Sequence, residues 1–137
     1  MSGQPQALKF AGYAALFGKA DGARDTIIPG AFARSLSERT TDLPLYWQHL
    51  PEKQIGWVSV AREDRRGLQV IATITNPHSR AAELLRRKKV SGLSFGYLAR
   101  GFRRTPVGRE LSEIDLFEIS LVTHPLHHDA RVHLISE

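Results

Sequence analysis

The chain is 137 residues long, carries a net charge of +5 and contains no cysteine. At about 150 residues per domain, this length predicts a single domain, 1–137, with 1–7 and 133–137 as flexible ends and enough chain to bury a true core. Hydrophobic residues at 42% and charged residues at 24% exclude a disordered, collagen-like or coiled-coil chain, and the missing cysteines exclude disulfide scaffolds, thiolate metal sites and cysteine nucleophiles.

Met1–Lys9 lacks the basic-then-apolar pattern of an export signal, and no later apolar run approaches the roughly 18 residues of a membrane-spanning helix. A cytosolic chain with no membrane role is therefore expected. Leu8–Phe17, rich in aromatic and small apolar residues, predicts a strand that ends in a turn at Gly18–Gly22. Pro29-Gly30-Ala31-Phe32 through Leu36 predicts a short helix opened near a proline. Leu43–His49 predicts a second strand, whose start Pro44 moves to an edge position. Ile55–Ala61 and Leu68–Ile74 are the clearest strands, joined by a charged hairpin loop at Arg62–Gly67. Asn76-Pro77 supplies an N-cap and a first-turn proline for a helix running to about Lys89. Ala81, Leu84 and Leu85 form its apolar face, and Arg86–Lys89 sit at the end where the helix dipole favours cations. Leu93–Phe102 and Glu110–Val122 are again strand-like. The sum is an α+β fold: a mostly antiparallel β-barrel or strongly curved sheet of about six to seven strands, flanked by a few helices.

Three residues on three separate strands could carry chemistry. His49 ends a strand beside the loop Leu50–Lys53, and an ordinary imidazole titrates near 6.5, as a general base at neutral pH requires. Its plain alternative is a surface or interior structural imidazole. Ser94 lies in Gly92-Leu93-Ser94-Phe95-Gly96-Tyr97, where the glycines remove bulk and would let a substrate backbone approach the hydroxyl. The string matches the G-x-S-x-G nucleophile elbow, but its context does not: a helix precedes Ser94, a strand follows it, and only 43 residues remain. Ser94 otherwise reads as a strand serine beside a bulge or a packed helix. Glu118 sits in Ile114-Asp115-Leu116-Phe117-Glu118-Ile119-Ser120-Leu121-Val122, a run apolar on both faces, where a carboxylate is costly without a cation or hydrogen-bond donors. It is either the partner of a structural arginine or the acid that orients a histidine. Serine, histidine and acid on separate strands are what a nucleophile, base and orienter need. Backbone N–H groups near Ser94, or the Arg100–Arg104 stretch, are the two candidate sources of oxyanion donors.

The cluster His124, His127, His128, Asp129 and His133 has no spacing that matches a metal helix, since Pro125 interrupts the His124–His128 pair. No metal and no cofactor is expected, and His124, at the end of the Glu118 strand, is a reserve third member of the triad. Between Arg80 and Arg104 there are eight basic residues against the lone Glu83. That segment is either a solvated helix end and strand or a surface for nucleic acid or an acidic protein.

Several motifs occur in order: Phe10-Ala11-Gly12-Tyr13-Ala14 with Phe17-Gly18, Ile28-Pro29-Gly30-Ala31-Phe32, Trp47-Gln48-His49, Ile55-Gly56, Gly92–Tyr97 and Glu113–Val122. Together they resemble the prohead maturation proteases of tailed bacteriophages and of phage-derived gene transfer agents, from about Leu8 to Val132. The resemblance implies a serine endopeptidase that cuts scaffold and major capsid precursors, and itself, inside the assembling prohead in the host cytoplasm. It also implies a fold similar to the herpesvirus assemblin proteases and, by analogy with them, a homodimer. Ser94 matches the family's nucleophile and His49 its general base, and Glu118 matches the third position, where the assemblins have a second histidine. Nucleic acid is not an expected partner on this reading. The alternative is a non-enzymatic capsid-assembly module, or a basic module that binds nucleic acid or scaffold, on the same barrel.

Overall fold

Among the described residues, 7–137 of a computed structural model, eight strands and two short helices follow one another. They are β1 (Leu8–Leu16), β2 (Asp25–Ile27), α1 (Ala33–Glu38), β3 (Leu43–Trp47), β4 (Leu50–Glu63), β5 (Gly67–Ile74), α2 (Arg80–Arg86), β6 (Gly92–Thr105), β7 (Gly108–Val122) and β8 (Val132–Ser136). The strands form one sheet in the order β2-β7-β3-β4-β5-β1-β8, with β6 paired to β7.

Strand β7 organises this sheet because it is long enough to serve three partners. β6 runs antiparallel to it along nearly its whole length, from Gly92–Val122 to Thr105–Gly108. Its other edge is shared by β2, parallel at Arg109–Leu111, and β3, parallel at Ile119–Leu121. In the gap between them the chain leaves the sheet to form α1. There the Ile114 N–H donates to the Ala31 carbonyl at 2.9 Å and the Leu116 N–H to Ser35 Oγ at 2.9 Å, so the exposed edge is satisfied by the excursion itself. The turn that leads into α1 is tied to β4, where the Glu63 carboxylate accepts from Gly30 N–H and from the N-cap Phe32 N–H at 2.9 and 2.8 Å.

Register shifts in the β1–β5, β1–β8, β3–β4, β4–β5 and β6–β7 pairs bend the sheet around one core. That core contains Leu8, Phe10, Phe32, Leu45, Val58, Val70, Ile74, Leu93, Ile114, Ile119 and Leu121. The two ends of the sheet approach each other only at isolated bridges: Phe17–Ile27, with the Gly18 N–H on Ile27 O at 3.0 Å, and Gly92–Arg131, with the Leu93 N–H on Ala130 O at 2.9 Å and the Val132 N–H on Ser91 O at 2.8 Å. No ladder follows either bridge, and the sheet stays open. The expected alternatives of barrel or strongly curved sheet thus resolve to the second, with two parallel pairings in an otherwise antiparallel array.

Several boundaries differ from expectation for local reasons. Overlapping the span expected as a flexible end, Val132–Ser136 forms β8, which pairs with β1 from Gly12–Val132 to Lys9–Ser136. The expectation of a flexible 1–7 concerns, apart from Ala7, residues outside those described. β2 has only three residues and a parallel partner, too short to show a period. Leu50–Lys53 is not a loop but the start of β4. Helix α2 starts later than Asn76-Pro77, because the Asn76 side chain is used to accept the His78 N–H at 2.9 Å, and Ser79 becomes the cap, accepting from Ala82 at 3.2 Å. The helix buries Ala81, Ala82 and Leu85, while Leu84 is half-buried.

The same helix ends before Lys89 because Lys88 turns left-handed at φ 58°. Its N–H closes on Leu85 O at 3.0 Å, and the Lys89 N–H on Leu84 O at 2.9 Å. A side chain there opposes the backbone that glycine adopts freely. Lys88→Gly should therefore raise stability by about 1 kcal/mol, read as an increase in the urea midpoint without a change in slope.

β2 is held by charge. The buried Asp25 carboxylate accepts from Arg109 Nε at 2.9 Å and Nη2 at 2.8 Å, and from the Tyr97 hydroxyl at 3.2 Å. The Arg109 hydrogen bonds hold the Asp25 carboxyl below its usual range, and those of Arg100 and then Arg34 do the same for Asp115. A carboxyl depressed in the folded state contributes stability above its unfolded pKa and loses it as pH falls through the folded value. The urea midpoint should hold from neutral pH to about 4 and fall below it. Asp25→Asn should be less stable at pH 7 and show a shallower decline.

Candidate active site

On β3, β7 and β6 the core-facing set is Leu45, Ile119 and Leu121, with Leu93 and Phe95 opposite. The intervening residues project from the outer face of the same three strands. Tyr46 pairs with Ser120, Ser120 with Ser94, and Glu118 with Gly96, so all five positions share that face.

His49 reaches this face from the tip of a two-residue hairpin. Trp47 pairs with Leu50, which leaves Gln48 and His49 as the whole turn, at φ 54° and 60°. Positive φ at both central residues is the type I′ signature, a geometry that favours Asn-Gly and strains a Gln-His pair. β7 holds the strained turn down. The Gln48 N–H continues the ladder to Leu121 O at 3.0 Å, and the Gln48 amide and Thr123 exchange hydrogen bonds at 3.3 Å. The His49 N–H donates to Ser120 Oγ at 3.0 Å.

The tip places the His49 ring, half exposed, against the carboxylate of Glu118, which is only 8% exposed. Nδ1 donates to Glu118 Oε1, which puts the ring hydrogen on Nδ1 and leaves Nε2 as the lone-pair nitrogen. The other carboxylate oxygen, Oε2, accepts from Ser120 Oγ at 2.7 Å. Glu118 thus has a histidine and a hydroxyl for partners, and among the described residues no arginine pairs with it, as its structural alternative would require.

Ser94 stands across the ladder from Ser120, 7% exposed, and its hydroxyl makes no hydrogen bond among the described residues. It is the third residue of β6, with helix α2 before it and strand after it, so the nucleophile-elbow geometry is absent. The two glycines around it are used differently from expectation. A Cβ at Gly96 would stand 2.5 Å from Glu118 Oε1, and one at Gly92 would stand 2.6 Å from Pro125 Cδ and 2.7 Å from Val122 O. The chain itself fills the space beside both glycines, with the Glu118 side chain against Gly96 and the Pro125 ring against Gly92.

The reserve position, His124, is exposed beyond the end of β7, and its ring makes no hydrogen bond among the described residues. His127 is buried for structural reasons: Nδ1 accepts the Leu16 N–H at 3.4 Å, and Nε2 donates to Lys19 O at 2.9 Å. His133 stacks on Tyr13 with ring centroids 5.8 Å apart, and His128 contacts Arg131. Among the described residues, no three acidic or histidine side chains converge as metal ligands. Arg100–Arg104 does not serve the site, because Arg100 lies six residues along β6 from Ser94, roughly 20 Å. Arg100 binds Asp115, and Arg103 binds Glu110 at 2.9 Å.

The fold is that of KSHV protease, solved with a hexapeptide phosphonate inhibitor (TM-score 0.68, 18% identity, 96% of this chain and 66% of that one). Varicella-zoster virus protease shares it as well (TM-score 0.64, 19% identity, 96% and 64%). The chain belongs to the caudovirus prohead serine protease family, whose pattern matches residues 2–137. It is 35% identical over 131 residues to the prohead protease of Enterobacteria phage HK97, covering 90% of this chain and 58% of that protein. It is 28% identical over 101 residues to the capsid polyprotein of Pseudomonas phage PAJU2, covering 66% of this chain and 15% of the polyprotein. The chain therefore spans little more than half of the HK97 relative and a small part of the polyprotein.

Proposed function

We propose that the chain is a serine endopeptidase that cleaves scaffold and major capsid precursors, and itself, within the assembling prohead in the host cytoplasm. The observation that carries this reading is the His49 Nδ1–Glu118 pair, which turns Nε2 into a base on the face that bears Ser94. Ser94 Oγ attacks the peptide carbonyl carbon as its proton passes to His49 Nε2, and Glu118 supports the imidazolium that forms. The proton goes on to the leaving amine as the C–N bond breaks. Water then repeats the sequence on the acyl-enzyme, and His49 again takes and returns the proton.

A homodimer belongs to the same reading, on the analogy of KSHV protease, which has been crystallised with a dimer disruptor. No helix among the described residues is long and apolar enough to cross a membrane. A basic binding module has less support, because four of the eight basic residues between Arg80 and Arg104 are paired with carboxylates: Arg86, Arg87, Arg100 and Arg103.

Fluorophosphonate labelling of the purified chain, read by intact mass and peptide mapping, tests the proposal. A single adduct on Ser94 is expected, absent in Ser94→Ala and His49→Ala. No adduct in dilute or crowded solution, or one at another residue, would overturn it.

A further inference from the structure

Ser120 is completely buried and has no part in the roles of nucleophile, base and acid, yet it touches two of those three residues. Its hydroxyl hydrogen goes to Glu118 Oε2 at 2.7 Å, and its oxygen accepts the backbone N–H of His49 at 3.0 Å. With the His49 Nδ1–Glu118 Oε1 hydrogen bond these contacts close a circuit, from imidazole to carboxylate to hydroxyl and back to the backbone of the same histidine. Resting on the reading of His49 as the base, we propose that Ser120 is a positioning residue that holds this base and its carboxylate in one frame.

Two physical requirements meet at this hydroxyl. A glutamate side chain has three torsions and two equivalent oxygens, so a carboxylate bound only by an imidazole has several ways to meet it. Ser120 occupies Oε2 and leaves Oε1 for the ring. A backbone at positive φ persists where its surroundings over-determine it. The Ser120 oxygen anchors the His49 amide, while β7 anchors Gln48 through Leu121 and Thr123. A hydroxyl has one hydrogen, and here it is directed at the carboxylate, so the same atom can receive the amide without conflict. The orientation of the base is thereby tied to the strand that pairs with Ser94.

The test is the rate of Ser94 acylation by a saturating fluorophosphonate in Ser120→Ala, Glu118→Ala and the double variant, each checked for folding by circular dichroism. Ser120→Ala should slow acylation about 10- to 100-fold, as partners one step removed from a reacting group typically do, with apparent probe affinity within about twofold. In the Glu118→Ala background the same change should add less than about threefold, because the carboxylate it acts on is gone. Equal factors in both backgrounds, or an unchanged rate in the single variant, would overturn the proposal. Ser120→Cys keeps the side-chain volume with a weak donor and should also be slowed; a wild-type rate there would count equally against it. If the wild-type chain is not acylated at Ser94, the protease reading fails, and the ring 15N shifts of His49 decide the question about Ser120. They should show the Nδ1–H form in the wild type and mixed tautomers in Ser120→Ala, and an unchanged tautomer would overturn the proposal.

Discussion

Ser94→Ala should lower cleavage of a capsid precursor by about 10⁴-fold or more and leave the fold untouched. The two halves of this expectation have separate causes. The catalytic loss follows because the serine across the ladder, Ser120, already has its hydrogen committed to Glu118 and is no substitute for Ser94. The structural neutrality follows because the Ser94 hydroxyl makes no hydrogen bond among the described residues, so deleting it orphans no partner. The urea midpoint should correspond to a change within about 0.5 kcal/mol. Gel densitometry of precursor cleavage alongside an unfolding curve checks both halves. Residual cleavage above about one part in 10³ by a homogeneous variant would remove Ser94 as nucleophile.

Gly96→Ala should cost about 10²-fold in turnover, although it adds a single methyl group to a residue that takes no part in the chemistry. The added Cβ would stand 2.5 Å from Glu118 Oε1, 2.8 Å from Cγ and 3.0 Å from Cδ. The end of a glutamate side chain usually swings away cheaply, but here His49 and Ser120 hold both oxygens. Moving the carboxylate by even about 1 Å takes the orienting acceptor away from the imidazole. A second glycine supplies the control. At Gly18, whose φ is +76°, an added Cβ would meet nothing within 4 Å, so Gly18→Ala should lose about 1 kcal/mol of stability through backbone strain and keep its turnover. Full turnover in Gly96→Ala would show that the Glu118 carboxylate need not sit where it does.

The local patterns that announced the strands share a cause. Leu68, Val70, Ala72 and Ile74 alternate in sequence because one face of β5 is buried against the core, and burial imposes a period of two on composition. Ser94, His49 and Glu118 stand out as candidates because each breaks its surroundings: a serine between glycines, a histidine at a strand end, a carboxylate in an apolar run. Their chemistry is intrinsic to the side chains, so residue type and position suffice to nominate them.

What joins them is not intrinsic to any segment. That Gln48 and His49 form a complete hairpin turn at positive φ could not be read from a dipeptide with neither glycine nor asparagine, because the backbone strain is repaid by contacts with β7. The glycines flanking Ser94 looked like room for a substrate, but which atoms fill the space beside a missing Cβ depends on the facing strand and the Pro125 turn. Ser120 shares a face with Glu118 on β7, yet its donor and acceptor roles arise only when β3 comes alongside in parallel register. The choice of Glu118 over His124 as the partner of His49 has the same origin. Composition and period determined the longer strands, the two helices and the candidate reactive side chains, since these depend on local sterics and burial. Register, bulges and long-range hydrogen bonds decided which of those side chains meet, because strand pairing is a free-energy balance over residues far apart in the chain.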